Sequence, residues 1–317
     1  MKKLIATLVL IAMTLFALSS CYLMPGLEKT EKVTIGVMSG PTGMGMAKLM
    51  NDTSADSEKY DFKIYSDPAL ATADLANGTV QMLCLPTNLA ANLSIKKDDY
   101  ISTIAINCLG SLYVVTNSNT TISDISDLEG KTIYASVPTS TTGPIINYIL
   151  EKNNVNAEIV FEADHQALAK KVITNQVDIA ILPEPVVSNA LSKNTSFSID
   201  LNLSEEWNKV SDEPLTMGCI VVRNDFLEKY ETTVNVFLRH YKNSINYIAN
   251  PYNLESAAQM IVDANILTDV TVAKSALEHL EGSIVYIDGD EMENALKNFY
   301  DAIGNAQPSD DFYYKKW

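Results

Sequence analysis

Two short segments carry the residue types that hold small polar ligands. The first, SGPTGMG at positions 39–45, combines glycine and proline, which lets a backbone approach a bound molecule closely. The second, SVPTSTTG at 136–143, places several hydroxyls just before a predicted helix, where free N–H groups and the helix dipole attract anions. Ordinary helix capping is the structural alternative for the hydroxyls. The predicted ligand contacts in these segments are Ser39, Gly40, Pro41, Thr42, Gly43, Ser136, Thr139, Ser140, Thr141 and Thr142.

Two predicted strand ends add side chains with complementary hydrogen-bonding character. Thr87 and Asn88 follow the apolar run VQMLCLP, and Glu184 follows VDIAILP. Asn88 both donates and accepts, whereas an ionised Glu184 only accepts. We therefore predict that Thr87, Asn88 and Glu184 face a ligand, with Glu184 pairing an amine. The alternative for Glu184 is a structural role, capping a neighbouring helix or hinge strand.

These segments belong to an internal duplication. Val80–Asn88 resembles Val177–Pro185, Asp67 precedes a helical segment as Asp164 does, and Thr34 opens a strand as Thr132 does. The offset is 97 or 98 residues in every case. Two copies of a β-α-β-α-β unit predict two similar α/β lobes. Because ligands in open α/β sheets bind beyond the carboxyl ends of the strands, a cleft between the lobes is the expected site.

Apolar runs, helical periodicity and capping residues predict the elements around that cleft. Asp67 and Asp164 are predicted to cap the second helix of each copy. Residues 202–213 are a polar stretch before the last predicted strand. The predicted strands are 33–38, 62–65, 80–85, one or two within 101–116, 131–135, 159–161, 177–182 and 219–222, followed by helices over 226–249, 254–264 and 291–303. Hinge bending is expected near 109–117 and 216–223.

The first twenty residues have the pattern of an export signal. Lys2 and Lys3 precede an apolar stretch that is too short for a membrane span and fits a signal peptide. The stretch ends in LSSC, which resembles the bacterial lipobox and implies a lipidated Cys21 followed by a tether over 21–32. An ordinary signal with a coincidental cysteine is the alternative. We expect an extracytoplasmic protein anchored by lipid to the bacterial cell membrane.

Composition excludes several classes of function. The chain carries 23 Lys and Arg against 39 Asp and Glu, a net charge of −16, which disfavours nucleic-acid binding. Only Arg223 and Arg239 are arginines, so a bidentate arginine clamp on an anion is not expected. Scattered histidines and the absence of a CxxC spacing argue against a metal site. Cys84, Cys108 and Cys219 lie in apolar runs and are expected to be buried thiols, with a Cys108–Cys219 bridge as the alternative.

The segments VTIGVMSGPTGMG, SDLEGKTIYAS and DIAILPEPVVSNAL, together with the lipobox, resemble substrate-binding proteins of ABC importers. The similar group is associated with nitrate, taurine, alkanesulfonates and thiamine-pyrimidine precursors. The resemblance implies a two-lobed α/β fold of the type II periplasmic binding protein kind that closes on a small polar ligand and docks on an ABC permease as a monomer. It predicts one lobe from 33–115 and 219–317 and the other from 116–218.

Three functional alternatives remain at this point. A lipid-anchored sensor or adhesin needs the same cleft and anchor as an importer component. An enzyme on the same fold would need a nucleophile-base pair or an activated lysine, and the sequence shows neither, so we predict no catalytic residues and no cofactor. The ligand itself, whether sulfonate, pyrimidine, amine or zwitterion, stays open.

Overall fold

The computed structural model describes residues 31–53, 58–97, 100–136 and 141–315. Within these ranges, strands and helices alternate along most of the chain. The strands are β1 Val33–Met38, β2 Tyr60–Tyr65, β3 Met82–Pro86, β4 Ile101–Leu109, β5 Leu112–Asn117, β6 Thr132–Ser136, β7 Glu158–Glu162, β8 Ile179–Pro183, β9 Phe197–Asn202, β10 Thr216–Arg223 and β11 Ile284–Ile287. The helices are α1 Pro41–Met44, α2 Ala47–Thr53, α3 Pro68–Ala76, α4 Thr87–Lys96, α5 Thr142–Lys152, α6 His165–Ile173, α7 Val186–Lys193, α8 Leu203–Asn208, α9 Asn224–Ile248, α10 Leu254–Asp263, α11 Val270–His279 and α12 Gly289–Ala302.

The strands form two sheets, each the centre of one lobe. The first sheet has the order β11-β4-β10-β3-β1-β2, and the second has the order β7-β6-β8-β5-β9. In the first, β1 pairs in parallel with β2 and β3; in the second, β6 pairs in parallel with β7 and β8. The expected α/β architecture of two similar lobes is confirmed.

The chain passes between the sheets twice. It leaves the first sheet after β4, turns at Gly110 and Ser111, and enters the second sheet as β5, antiparallel to β8. It returns through residues 209–215 and becomes β10, which lies antiparallel between β3 and β4. Both passages lie slightly before the predicted lobe boundaries at 115/116 and 218/219. Each sheet therefore acquires an antiparallel strand beside its three parallel ones.

Local capping explains where two corresponding helices begin. The Asp67 carboxylate accepts a hydrogen bond from the Ala69 N–H at 2.8 Å, at the start of α3. The Asp164 carboxylate accepts one from the Ala167 N–H at 2.7 Å, at the start of α6. Each side chain satisfies a donor that the first helical turn leaves free. The predicted capping role of both aspartates is confirmed.

The strands of the first sheet separate two apolar cores. Cys84 and Cys108 lie on one face with Phe237 and Tyr241 of α9, and Cys219 lies on the opposite face with Phe299 of α12. The three thiols are free and buried, and burial raises the pKa of Cys84 and Cys108 to about 12. Because Cys108 and Cys219 occupy opposite faces, they act as separate apolar packing groups rather than as a bridge.

Several elements differ from the sequence-based expectation. Residues 41–44, expected as loop, form the short helix α1. Strand β9 and helix α8 occupy 197–208, where the sequence pattern had identified only a polar stretch from 202 onward. Trp207 explains this helix, because its buried indole stacks near Tyr148 and Phe299 and its N–H donates to the Glu213 carbonyl at 2.8 Å.

Candidate functional site

The carboxyl ends of the central strands of the two sheets approach each other. Gly40, just after β1, has a φ of 109°, a value that L side chains rarely adopt. A Cβ built on Gly40 would lie 3.9 Å from Cδ of Pro185, which follows β8 in the other lobe. The loop after β1 and the segment after β8 are therefore neighbours across the space between the lobes, where ligands of open α/β sheets bind.

The loop after β1 is held in place by contacts from β4 and β10. Asn107 of β4 donates through Nδ2 to the Thr42 carbonyl at 3.0 Å and to the Tyr241 hydroxyl at 3.0 Å. A Cβ on Gly218 would lie only 2.5 Å from Cγ2 of Thr42, so β10 approaches this loop as closely as glycine permits. Ser39 is exposed, Pro41 and Thr42 are half-buried, and Gly40 and Gly43 are buried. The loop thus presents Ser39 and its backbone on a fixed support.

The hydroxyl-rich segment after β6 is described in part. Thr139 and Ser140 lie outside the described residues. Ser136 is buried at the end of β6 and hydrogen-bonds Nδ1 of His165, whose pKa is lowered by burial. Thr141 and Thr142 are buried at the start of α5, with the Thr141 hydroxyl 4.0 Å from Sδ of Met217 on β10. The described hydroxyls are therefore close to the helix start, as predicted.

Thr87 and Asn88 begin α4 in the first lobe. The buried Thr87 hydroxyl donates to the Thr216 carbonyl at 2.9 Å, and the Thr87 carbonyl accepts from the Tyr300 hydroxyl at 3.0 Å. These bonds tie the helix start to β10 and α12 of the same lobe. Asn88 is half-buried, and its side chain makes no hydrogen bond within the described part of the chain. Asn88 is thus better placed than Thr87 to offer its side chain to a ligand.

Glu184 occupies the corresponding position at the end of β8. Its side chain is 0 % exposed, and its backbone N–H donates to the Ser111 carbonyl at 2.9 Å. Oε1 accepts from the Ser188 hydroxyl at 2.9 Å and from Nδ1 of His279 at 2.5 Å. Oε2 is buried and has no hydrogen-bond partner among the described residues. A buried carboxylate oxygen without a donor is costly, so Oε2 is the atom of this region that most needs a hydrogen-bond partner.

His279, the last residue of α11, was not among the sequence-predicted site residues. Helix α11 packs on α10 in the apolar core of the first lobe, and its end reaches α7 of the second lobe. The hydrogen bond to Glu184 raises the pKa of His279, which is 31 % exposed. Tyr113 of β5 donates through its hydroxyl to the His279 carbonyl at 2.5 Å. Only the fold brings these residues together, because 95 positions separate Glu184 from His279.

The two arginines do not contribute to this region. Arg223 donates to the Leu75 and Ala76 carbonyls at 2.7 and 3.0 Å and pairs with Asp225 at 2.6 Å. It therefore satisfies carbonyls at the end of α3, while Arg239 is an exposed residue of α9. A cavity of about 320 Å³ also lies elsewhere, between α2 and α9 of the first lobe, lined by residues that include Lys48, Asp52 and His240.

Across the described ranges, no group of three or more His, Cys, Asp or Glu side chains is arranged to hold a metal ion. The same ranges contain no helix with the length and apolar character needed to cross a bilayer. Cys21, the predicted signal peptide over 1–20 and the tether up to residue 30 lie outside the described residues.

Two lobes whose strand ends face each other are the architecture of two-lobed solute-binding proteins, and this chain has that architecture. The model of one family, described as ABC transporter, phosphonate, periplasmic substrate-binding protein, matches residues 47–241, more than half of the 317 residues. The chain belongs to this family of periplasmic substrate-binding proteins of ABC transporters. No curated protein sequence matches the chain.

Solved structures share the fold at low sequence identity. An ABC transporter protein from Parabacteroides distasonis has a TM-score of 0.73 and 19 % identity, covering 90 % of this chain and 99 % of that chain. The aliphatic sulphonate binding protein SsuA from Escherichia coli has a TM-score of 0.68 and 13 % identity, covering 90 % and 93 %. The nitrate-binding protein NrtA from Synechocystis has a TM-score of 0.57 and 11 % identity, covering 74 % and 66 %. These structures confirm the fold that the resemblance to the nitrate, taurine and alkanesulfonate group implied, while the family model that matches this chain is described by phosphonate.

Proposed function

We propose that this protein captures a small polar organic ligand between its lobes and delivers it to an ABC permease. The observation that carries the proposal is the approach of the strand ends across the lobes, with Gly40 and Pro185 in near contact. Beside them, a buried Glu184 oxygen has no hydrogen-bond partner among the described residues. A ligand that contacts both lobes favours the closed state through those contacts. The closed form then presents the surface that the permease recognises. The proposed lobes are 33–115 with 219–317, and 116–218, except that residues 112–115 pair in the second sheet and residues 216–218 in the first.

The chemistry of the site favours a ligand with an anionic end and a nitrogen donor. The anionic end would be held by backbone N–H groups and hydroxyls of the loops after β1 and β6, because Arg223 bonds to the end of α3 and Arg239 is exposed on α9. The nitrogen donor would bind Oε2 of Glu184, and Asn88 would contribute a donor and an acceptor. Phosphonates and sulfonates fit the anionic end, consistent with the family and with the sulphonate binding by a structural neighbour.

The proposed cellular setting is the outer face of the bacterial membrane. Signal-peptide removal would leave Cys21 as the lipidated first residue, and the tether would hold the lobes near the permease. Metabolic labelling with a palmitate analogue tests this step. Wild-type protein should carry the label and Cys21→Ala should not, and equal labelling of both would refute the anchor.

The ligand class can be tested with pairs of compounds that differ only by an amine. We would measure thermal unfolding of the chain from residue 22 onward, after unfolding and refolding, with taurine against ethanesulfonate and 2-aminoethylphosphonate against ethylphosphonate. A ligand at 100 times its Kd stabilises a protein by about 2.7 kcal/mol. The proposal predicts stabilisation by an aminated member. Nitrate, aminopyrimidines, amino acids and polyamines complete the panel, and stabilisation by none of the compounds would favour a role other than capture of such ligands.

A further inference from the structure

His279 joins the two lobes through a hydrogen bond to a site residue. Its helix belongs to the first lobe, where Ala273, Ala276 and Leu277 pack in the core under β1. Its Nδ1 donates at 2.5 Å to Glu184, which follows β8 of the second lobe. Opening the lobes at Gly110–Ser111 and 209–215 would separate these two groups. We propose that His279 is a positioning residue, which holds Glu184 in the closed state and makes lobe closure depend on pH.

The groups around His279 support a positioning role. Ser188 of α7 donates to the same Glu184 oxygen that accepts from His279, so Oε1 has two donors, whereas Oε2 has none within the described ranges. Tyr113 of β5 fixes the His279 backbone through the carbonyl, and its ring lies 5.8 Å from the imidazole. Nδ1 of the imidazole lies 2.5 Å from Oε1 of Glu184 and 3.2 Å from the Ser188 hydroxyl, so His279 contacts both groups that set the position of this carboxylate.

The charges facing His279 make its interaction with Glu184 dependent on pH. Glu184 from β8 and Glu278 from its own helix both favour the imidazolium, while partial burial opposes it. Tyr113 stays neutral because burial raises its pKa. From α10, Glu255 pairs with Lys274 rather than with His279. The net effect, dominated by the Glu184 hydrogen bond, raises the pKa of His279 when the lobes are closed.

The direction of the pH dependence follows from this raised pKa. Below the ordinary histidine pKa of about 6.5, His279 is protonated in both states and the charged hydrogen bond stabilises closure fully. As the pH rises through the raised value of the closed state, that contribution is lost. Closure should therefore be favoured at pH 5.5 relative to pH 8.5. The inference rests on the proposed function only in linking lobe closure to ligand capture.

The first test needs no ligand. Because the chain has only three histidines, the titration of each imidazole can be followed separately. We would titrate the imidazoles by NMR in the chain from residue 22 onward. His279 should titrate above 6.5, whereas His165 and His240 should titrate below it, since burial lowers the pKa of both. In Glu184→Gln the His279 value should fall while the other two stay unchanged. An unchanged His279 value in this variant would overturn the proposal.

The second test measures closure itself, by X-ray scattering of the ligand-free chain at pH 5.5 and 8.5. The wild type should have a smaller radius of gyration at pH 5.5, and His279→Asn, which keeps a donor but does not titrate, should lose this difference. His240→Asn is the matched control, because His240 also bonds through Nδ1, to Tyr60 at 2.8 Å within the first lobe. The proposal is refuted if the wild type shows no difference or if His279→Asn retains it. Neither measurement depends on the ligand panel, so the two proposals fail separately.

Discussion

The two copies of the duplicated unit place different chemistry at the same position. Thr87 ends the third strand of the first copy and Glu184 ends that of the second, 97 residues later. Both side chains are buried, at 0 % and 2 % relative exposure. Thr87 makes its hydrogen bonds to β10 and α12 of its own lobe. Glu184 instead bonds to His279 of the opposite lobe, and its second oxygen has no partner in the part of the chain that the structure describes.

This difference teaches which of the two strand ends is specialised for binding. A threonine with satisfied hydrogen bonds stabilises its lobe at little cost. A buried carboxylate with an unpaired oxygen destabilises the ligand-free protein, and such a feature is expected where a ligand supplies the missing donor. We infer that the duplication provided the geometry twice, while the recognition of a nitrogen donor developed on the second copy only.

The largest expected effect follows from removing the charge at Glu184. Glu184→Gln keeps the shape of the side chain but replaces a charge-assisted hydrogen bond with a neutral one. For an aminated probe such as 2-aminoethylphosphonate, we expect a loss of about 1.5–3 kcal/mol, or roughly 10- to 100-fold in Kd. Isothermal titration calorimetry measures this change directly.

Ethylphosphonate is the control for this variant, because it has no nitrogen to lose. At pH 8.5, where the contribution of His279 to closure is lost, its Kd should change less than threefold between the wild type and Glu184→Gln. An equal loss of affinity for both compounds would mean that Glu184 maintains the shape of the site rather than binding the amine. The contrast between the strand ends would then be one of structure alone.

At Thr87, by contrast, a substitution is expected to lower the free energy of unfolding and to leave the ligand affinity nearly unchanged. Thr87→Val keeps the side-chain volume but leaves the Thr216 carbonyl without its donor, which costs about 1–2 kcal/mol of unfolding free energy. Urea denaturation measures the loss, and Thr87→Ser, which retains the hydroxyl, should recover much of it. The affinity for the aminated probe should stay within threefold. A tenfold weaker Kd with unchanged stability would instead place this hydroxyl on the ligand.

Much of the fold was predictable because local signals and global topology agree. β1 was predicted with its observed bounds, since a charge-free apolar run lies between a lysine and a Gly-Pro loop. The repeat offset predicted the two similar lobes, which the parallel pairings of β1 and β6 confirm. The short helix α1 was missed because its glycine content predicts a loop, although Asn107 and β10 hold it from outside the segment.

The site was predictable only as far as it is local in sequence. Glu184 and Asn88 follow recognisable strands, and the structure locates both at strand ends. His279 carried no such signal: it ends an ordinary amphipathic helix, and its role arises from a contact across 95 residues. A partner that depends on how α11 of one lobe meets α7 of the other cannot be inferred from spacing, since no sequence pattern specifies the angle between the lobes.

The smallest expected effect concerns the helix caps Asp67 and Asp164, where the two copies are alike. Asp67→Ala and Asp164→Ala each remove one capping hydrogen bond from an exposed helix start, so each should cost about 1 kcal/mol of unfolding free energy. Asp67→Asn and Asp164→Asn, which retain the acceptor, should cost less than half as much. Scanning calorimetry of the four variants compares the lobes directly. Equal losses would show that the copies differ at Thr87 and Glu184 because of binding, whereas a much larger loss at one cap would show that the lobes differ in general stability.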